Sequence, residues 1–350
     1  NTRATTAKTP EGLWQITGQG QKQQFNFANL DYQGMAGHLH GDGQFSWPQG
    51  LTWYANVTVD DFKTTSWLAK WPAQLTGKTQ SSGVWRSNQR QLNFSQTALK
   101  GELKALPLQV SGDLSLDLTN ASQIPYFQAH QLVMDWDKNH LAVEGGFNNK
   151  WDVTIDSQLD DLSAIDERLK GQLSGVVVVQ GDKKTPSLTL NLAGEALQFQ
   201  QMAVSSLSVS GTLPELGAGA GFLQISAKNL TAANRVIPDL GLVMEGSRAD
   251  HQITWQMAAD PVAAEGILHG ALDNDFNWQG ESQAGTVNVG DFSWQLTAPF
   301  AVNWQQLDKH ITLAPHCWLA EQAQLCSQDN FEASPQAAHA HFDLSKLEIS

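Results

Sequence analysis

Leu188-Thr189-Leu190-Asn191-Leu192 places apolar and polar side chains in strict alternation. Successive side chains of an extended chain point to opposite faces, so this pattern describes a strand with one dry face and one wet face. The same period of two recurs in Phe25 and Phe27, in Leu51, Trp53, Val57 and Val59, and in Leu114, Leu116 and Leu118. It continues in Val153 and Ile155, in Leu207 and Val209, and in Val287 and Val289. The interleaved Ser115, Asp117, Thr189, Asn191 and Ser208 would be costly to bury without partners. A sheet covered on both sides is therefore excluded for most of the chain, Val176 to Val179 being the one short exception. Gly41-Asp42-Gly43, Asn148-Asn149 and Gly181-Asp182 read as hairpin turns, which makes the connections antiparallel.

Three short stretches depart from the alternation. Asp160 to Leu169 opens with two acids suited to N-capping and spaces Leu162, Ile165 and Leu169 at helical intervals, predicting one or two helical turns. Asp60 to Pro72 and Asn229 to Pro238 read as weaker versions of the same link. Leu75-Thr76-Gly77 and Leu169-Lys170-Gly171 are offset by 171 − 77 = 94 residues, and Val110-Ser111-Gly112 and Val209-Ser210-Gly211 by 211 − 112 = 99. These offsets suggest an internal repeat within one elongated segment, residues 1–350, with units at 14–75, 76–170, 171–240 and 241–350.

Strands with one apolar face cannot lie open and flat in water. The sheet must form a membrane barrel with the dry side outward, a sandwich or β-helix packed on itself, or a U whose dry side lines a trough. Three Tyr against 13 Trp is a poor match to the aromatic girdles of a membrane barrel. The self-filled solenoid and the trough both remain, because alternation shows only which face is dry. Leu114, Leu116, Leu118, Val153, Ile155, Leu188, Leu190, Leu192, Leu207 and Val209 are the candidate groove lining, with ordinary core as the competing reading.

Composition narrows the function. With 21 Lys+Arg against 35 Asp+Glu the net charge is −14, so the summed field repels nucleic-acid phosphates and anionic lipid head groups alike. There is no cationic-then-apolar leader and no apolar run of the roughly 20 residues a spanning helix needs. The expectation is a soluble, ordered piece of something larger. Cys317 and Cys326 are the only cysteines. A hairpin tip within Ala320 to Ala323 would set them directly across a ladder, predicting a disulfide and an oxidising compartment. Zinc, with His316 as a third ligand, is the rival, but no C-x2-C partner or fourth ligand is nearby.

No catalytic constellation is evident, and neither cofactor nor metal is expected. His38-x-His40 and His339-x-His341 each put two imidazoles on one strand face, where a solvated polar surface is the simpler account. Gly217 to Gly221 lacks a strand-turn-helix context for holding phosphate. Asp60-Asp61 and Asp160-Asp161 are better explained as caps than as paired catalytic carboxylates. The many Trp invite a carbohydrate-binding or adhesive reading, although core or rim positions suit them better.

Asp161-Leu162-Ser163-Ala164-Ile165 followed by Leu169-Lys170-Gly171-Gln172-Leu173, the repeated apolar-x-Gly-x-Leu strands, and Phe292-Ser293-Trp294-Gln295-Leu296 with Pro299-Phe300 form a recognisable series. Together with His316-Cys317-Trp318 and Leu325-Cys326, the chain resembles the TamB branch of the AsmA-like envelope proteins. The resemblance implies a U-shaped antiparallel β-groove, or β-taco. It also implies a periplasmic place in a Gram-negative bacterium, within a protein anchored to the inner membrane, of which this would be a middle segment. Phospholipid acyl chains would be the cargo. A TamA-like outer-membrane barrel would be the partner through parts outside this segment, with outer-membrane proteins and autotransporters as assembly clients.

Overall fold

A computed structural model describes residues 11–65, 69–119, 125–232 and 235–346. The chain forms two compact units, one of residues 1–160 with 178–183 and the other of 161–177 with 184–350. Among the described residues no helix is long and apolar enough to cross a membrane.

The first unit contains β1 (Gly12–Gln21), β2 (Gln24–Gly34), β3 (Gly37–Ser46), β4 (Leu51–Lys63), β5 (Ala73–Arg86), β6 (Gln89–Leu103), β7 (Leu106–Asp117), β8 (Tyr126–Trp136), β9 (Asn139–Asn148) and β10 (Lys150–Leu159). Each pairs with the next, always antiparallel. Tight tips make most of this meander, the longer links being 64–72 and 118–125. At Lys104-Ala105 both residues have positive φ, 50° and 62°, the backbone signature of a type I′ turn that matches strand twist.

β11 (Leu169–Asp182) has residues in both units. In the second unit β12 (Pro186–Phe199), β13 (Met202–Leu213), β14 (Gly221–Ala232), β15 (Arg235–Ser247), β16 (Asp250–Ala259), β17 (Val262–Leu272) and β18 (Trp278–Val289) again pair in series. The ladder then forks. Thr286 to Val289 of β18 pair with β19 (Phe292–Leu296), while Trp278 to Ser282 pair with β20 (Phe300–Gln305). Short strands complete the two arms: β21 (His310–Leu313), β22 (Cys317–Ala320), β23 (Ala323–Ser327), β24 (Phe331–Ala333), β25 (Ala338–His339) and β26 (Phe342–Ser345). The expected mainly-β antiparallel architecture is what the chain adopts, consistent with a β-groove.

Local expectations fared unevenly. Leu162–Ala164 forms a 3-10 turn whose N-cap Asp161 accepts the Ser163 N–H at 2.9 Å, as the capping pattern predicted. Of the expected link from Asn229 to Pro238, Asn229 to Ala232 belong to β14 and Arg235 to Pro238 to β15, and residues 233–234 lie outside the described residues. Pro238 has no N–H to give, and it stands opposite Asn229, whose φ of 49° leaves that rung of the ladder unpaired. Asp60 to Lys63 continue β4, and residues 66–68 lie outside the described residues. Gly41-Asp42-Gly43 is likewise no turn but the middle of β3. A Cβ at Gly43 would come 2.8 Å from the Phe27 ring and 2.1 Å from the Tyr54 carbonyl oxygen, so close cross-strand approach is the reason for glycine here. Gly181-Asp182 ends β11, just ahead of the bend at 183–185. Pro214–Gly217 forms a tight turn that the alternation does not predict, with Glu215 and Leu216 both at left-handed φ of 51° and 54°.

Bulges recur on alternate strands. Asp61, Gln96 and Gln131, in β4, β6 and β8, all take left-handed φ between 47° and 53°. Their spacings are 96 − 61 = 35 and 131 − 96 = 35. Each extra residue bends its strand and adds local twist, so a hairpin-long repeat of curvature is written into the first unit.

Candidate functional site

The registers show what the alternation builds. In the first unit the cross-strand row Phe25, Phe45, Trp53, Gly83, Leu92, Leu116, Phe127, Phe147, Trp151 runs unbroken from β2 to β10. The neighbouring row carries Leu114, Ala129, Gly145 and Val153. Ile155 faces Val143, which faces Leu132, and Leu118 lies just past β7, its N–H donating to the Arg90 carbonyl at 2.7 Å. In the second unit Leu188 faces Leu213, Leu190 faces Gly211, Leu192 faces Val209 and Leu207 faces Gly194. The row of Leu192 and Val209 continues through Ile225, Leu242, Trp255, Gly266 and Gly285. The ten candidate lining residues thus gather into two sets, one per unit, each on a single apolar face.

Burial separates an open face from a packed core. Of the ten, only Val153 is buried, and the other nine are half-buried. A core residue between two packed sheets would lose nearly all its accessible surface. The largest fully buried side chains are Tyr32 and Phe147. In the second unit β14 to β18 surround a depression of about 460 Å³ centred on the row from Ile225 to Gly285. Indoles pack close to its glycines: a Cβ at Gly266 would meet the Trp255 Nε1, and one at Gly285 the Trp318 ring, both at 2.9 Å.

Trp side chains follow their polar tips. Trp53 Nε1 donates to Ser81 Oγ at 3.1 Å, and Trp136, nearly buried, donates to the Leu103 carbonyl at 3.0 Å. Trp278 Nε1 donates to Nε2 of the buried His251 at 2.8 Å, and the Nδ1 of that ring meets the Ser247 carbonyl at 2.9 Å. With partners at both ring nitrogens, His251 is a satisfied core histidine. Trp14, Trp47, Trp71 and Trp85 are exposed, and Trp67 lies outside the described residues.

On the wet face the polar groups serve the backbone. The bulged N–H groups of Asp61, Gln96 and Gln131 donate to Thr76 Oγ1, Asp113 Oδ1 and Glu144 Oε2 at 3.1, 2.8 and 2.7 Å. The Gln131 N–H and then His130 hold the Glu144 carboxyl below its ordinary value, and Glu144 in turn raises His130. Asp117 is held low chiefly by its hydrogen bond from Thr119, against a smaller opposing effect of burial. His38 binds Asp31 at 2.8 Å with His40 5.4 Å away ring to ring, and the described residues hold no cluster of three or more metal-ligating groups. Asp161 is a cap, and Asp60 and Asp61 sit at a bulge. Cys317 faces Cys326 across the β22–β23 hairpin, disulfide-bonded with Cα atoms 4.1 Å apart, the close spacing of a non-hydrogen-bonded pair.

An antiparallel ladder in each unit that keeps one half-open apolar face is the architecture of a β-groove protein. The chain belongs to the family described as "TamB, N-terminal domain", whose model matches residues 1–350. It is also similar to the Translocation and assembly module subunit TamB of Haemophilus influenzae (strain ATCC 51907 / DSM 11121 / KW20 / Rd), 23% identical over 333 residues. That alignment covers 93% of this chain and 25% of the relative, so the chain spans about a quarter of the relative's length.

Proposed function

We propose that the apolar face is a track for phospholipid acyl chains crossing the periplasm of a Gram-negative envelope. The observation that carries this reading is the half-buried state of nine lining residues, eight of them register-aligned, a dry surface left open rather than filled. Exposing an acyl tail of about 16 carbons to water would cost roughly 13 kcal/mol at ~0.8 kcal/mol per CH2. An uninterrupted apolar path removes that cost at every step while the wet face stays solvated. Catalysis has no part in this reading. The relative's name supports a place in a translocation and assembly module; in this reading the chain is part of a protein anchored to the inner membrane. There the chain would act with a TamA-like outer-membrane barrel, reached through other parts of the protein, and support assembly of outer-membrane proteins.

Photocrosslinking side chains at Leu116 and Leu190, with wet-face controls at Ser115 and Asn191, test it directly. Lipid adducts are expected from the first pair only. Equal labelling on both faces, or none at Leu116 and Leu190, overturns the proposal.

A further inference from the structure

The dry face of β1 to β10 has one charged exception. Following the registers, every described position on that face is apolar, glycine, or small and uncharged polar, apart from Arg90. Alternation predicts an apolar side chain there, since Leu92 and Phe94 follow at the next inward positions. Arg90 occupies the last inward-facing rung before the β5–β6 turn, with only the outward Arg86–Gln89 pair beyond it, in the row Leu51, Trp85, Arg90, one pleat beyond Trp53, Gly83 and Leu92. It marks the edge of the track.

Its surroundings are those of an interface between apolar and wet. Leu51 and Trp85 are 40% and 47% exposed, and Trp47, in the adjacent β3–β4 turn, is 46% exposed. The Arg90 guanidinium lies 5.4 Å from the centre of the Trp85 ring. Its backbone is pinned, the N–H donating to Thr119 Oγ1 at 3.0 Å. No carboxylate pairs with the guanidinium among the described residues. An indole beside it leaves the planar N–H fork available, and that fork matches phosphate geometry. In a chain of net charge −14, whose field repels anions, an unpaired arginine on the dry face is a localised exception with a specific use.

We infer that Arg90, with Trp85, is a head-group site at the rim of the groove, binding the phosphate of a phospholipid whose tails lie along the row of Leu92 and Leu116. This rests on the acyl-track reading and adds a chemical preference to it. Tails alone would make the track indifferent to head groups. A guanidinium at the edge favours lipids that carry phosphate and fixes which end of the molecule stays at the rim.

The test compares binding of dioctanoyl phosphatidylglycerol, dioctanoylglycerol and inorganic phosphate to the purified chain. The wild type is expected to prefer the phospholipid over the diacylglycerol by about tenfold and to bind inorganic phosphate far more weakly. Arg90→Gln should abolish the preference while leaving diacylglycerol affinity unchanged. Lys100→Gln, on the wet face of the same strand, should leave both intact. Arg90→Lys, which keeps the charge but not the fork, should retain part of the preference. A full preference in Arg90→Gln, or inorganic phosphate bound as tightly as the lipid, overturns the head-group site. Failure of the wild type to bind either lipid would instead sink the track.

Discussion

In β2 to β10 the dry face is aromatic, with Phe25, Phe45, Trp53, Phe127, Phe147 and Trp151 in a single row. In β12 to β16 the corresponding row is Leu192, Val209, Ile225, Leu242 and Trp255, aliphatic until its last member. The bulges differ too. Those at Asp61, Gln96 and Gln131 have their freed N–H groups taken up by side chains of the next strand, whereas Ala196 and Asn229, both with left-handed φ of 49°, have no such cap among the described residues. Ring content, side-chain volume and bulge chemistry all vary between the two ladders, while the dryness of one face does not. A site that recognises a shape would hold its lining constant. A surface that only excludes water need not, and that is the behaviour an acyl track requires.

The comparison breaks first at burial. Val153 is 4% exposed and Leu190 half-buried, yet both stand on dry faces. Val153→Asp should destabilise its unit by about 3–5 kcal/mol, since the carboxylate would be buried without a partner. Leu190→Asp should cost about 1 kcal/mol, the loss of partial apolar burial, because water reaches the new charge. Urea unfolding followed by tryptophan fluorescence measures both. Equal, large losses would mean that the Leu190 face is a filled core.

A second contrast lies within the later unit, between the strands of 10 to 14 residues from β12 to β18 and the strands of 2 to 6 residues that follow. Short ladders bury little and hold few bonds, so they depend on a covalent tie. Closing a loop of sequence separation 9 is worth about 3 kcal/mol. Replacing Cys317 and Cys326 together by Ala should speed amide exchange across β22 and β23 by up to that amount and leave β13 to β16 unchanged. Unaltered protection of the hairpin would show that packing alone holds it.

Much of this was legible before any coordinates. Strict alternation at Leu188 to Leu192 gave both strand and face, and the Cys317–Cys326 register followed from the length of one hairpin. The turns were harder. Lys104-Ala105 makes a type I′ tip without Asn or Gly, and Gly41-Asp42-Gly43 looks like a turn but serves close packing against Phe27. Local composition cannot distinguish a glycine needed for bending from one needed for approach. Whether the dry face is open was equally hidden, because burial depends on what stands opposite. Arg90 could have been found by extending the alternation of Leu92 and Phe94 one step back.

The smallest expected effect concerns the capped bulge at Gln131. Glu144 accepts the Gln131 N–H and also meets His130 Nδ1 at 2.9 Å. The carboxyl is held below its ordinary 4.5, first by the Gln131 N–H and then by His130, so its contribution is present above that value and fades as pH falls through the lowered one. His130 is raised above its ordinary 6.5, mainly by the hydrogen bond to Glu144. Its contribution is complete below 6.5 and fades as pH rises through the raised value. The cap should therefore be tightest between about 4.5 and 6.5, and the uncapped bulges at Ala196 and Asn229 should show no such window. An NMR titration should place the His130 midpoint above the free imidazole value, and Glu144→Gln should return it there while speeding exchange of the Gln131 amide. A His130 midpoint that ignores Glu144→Gln would mean that the cap acts on the backbone alone, and the difference between the two ladders would then be one of geometry without charge.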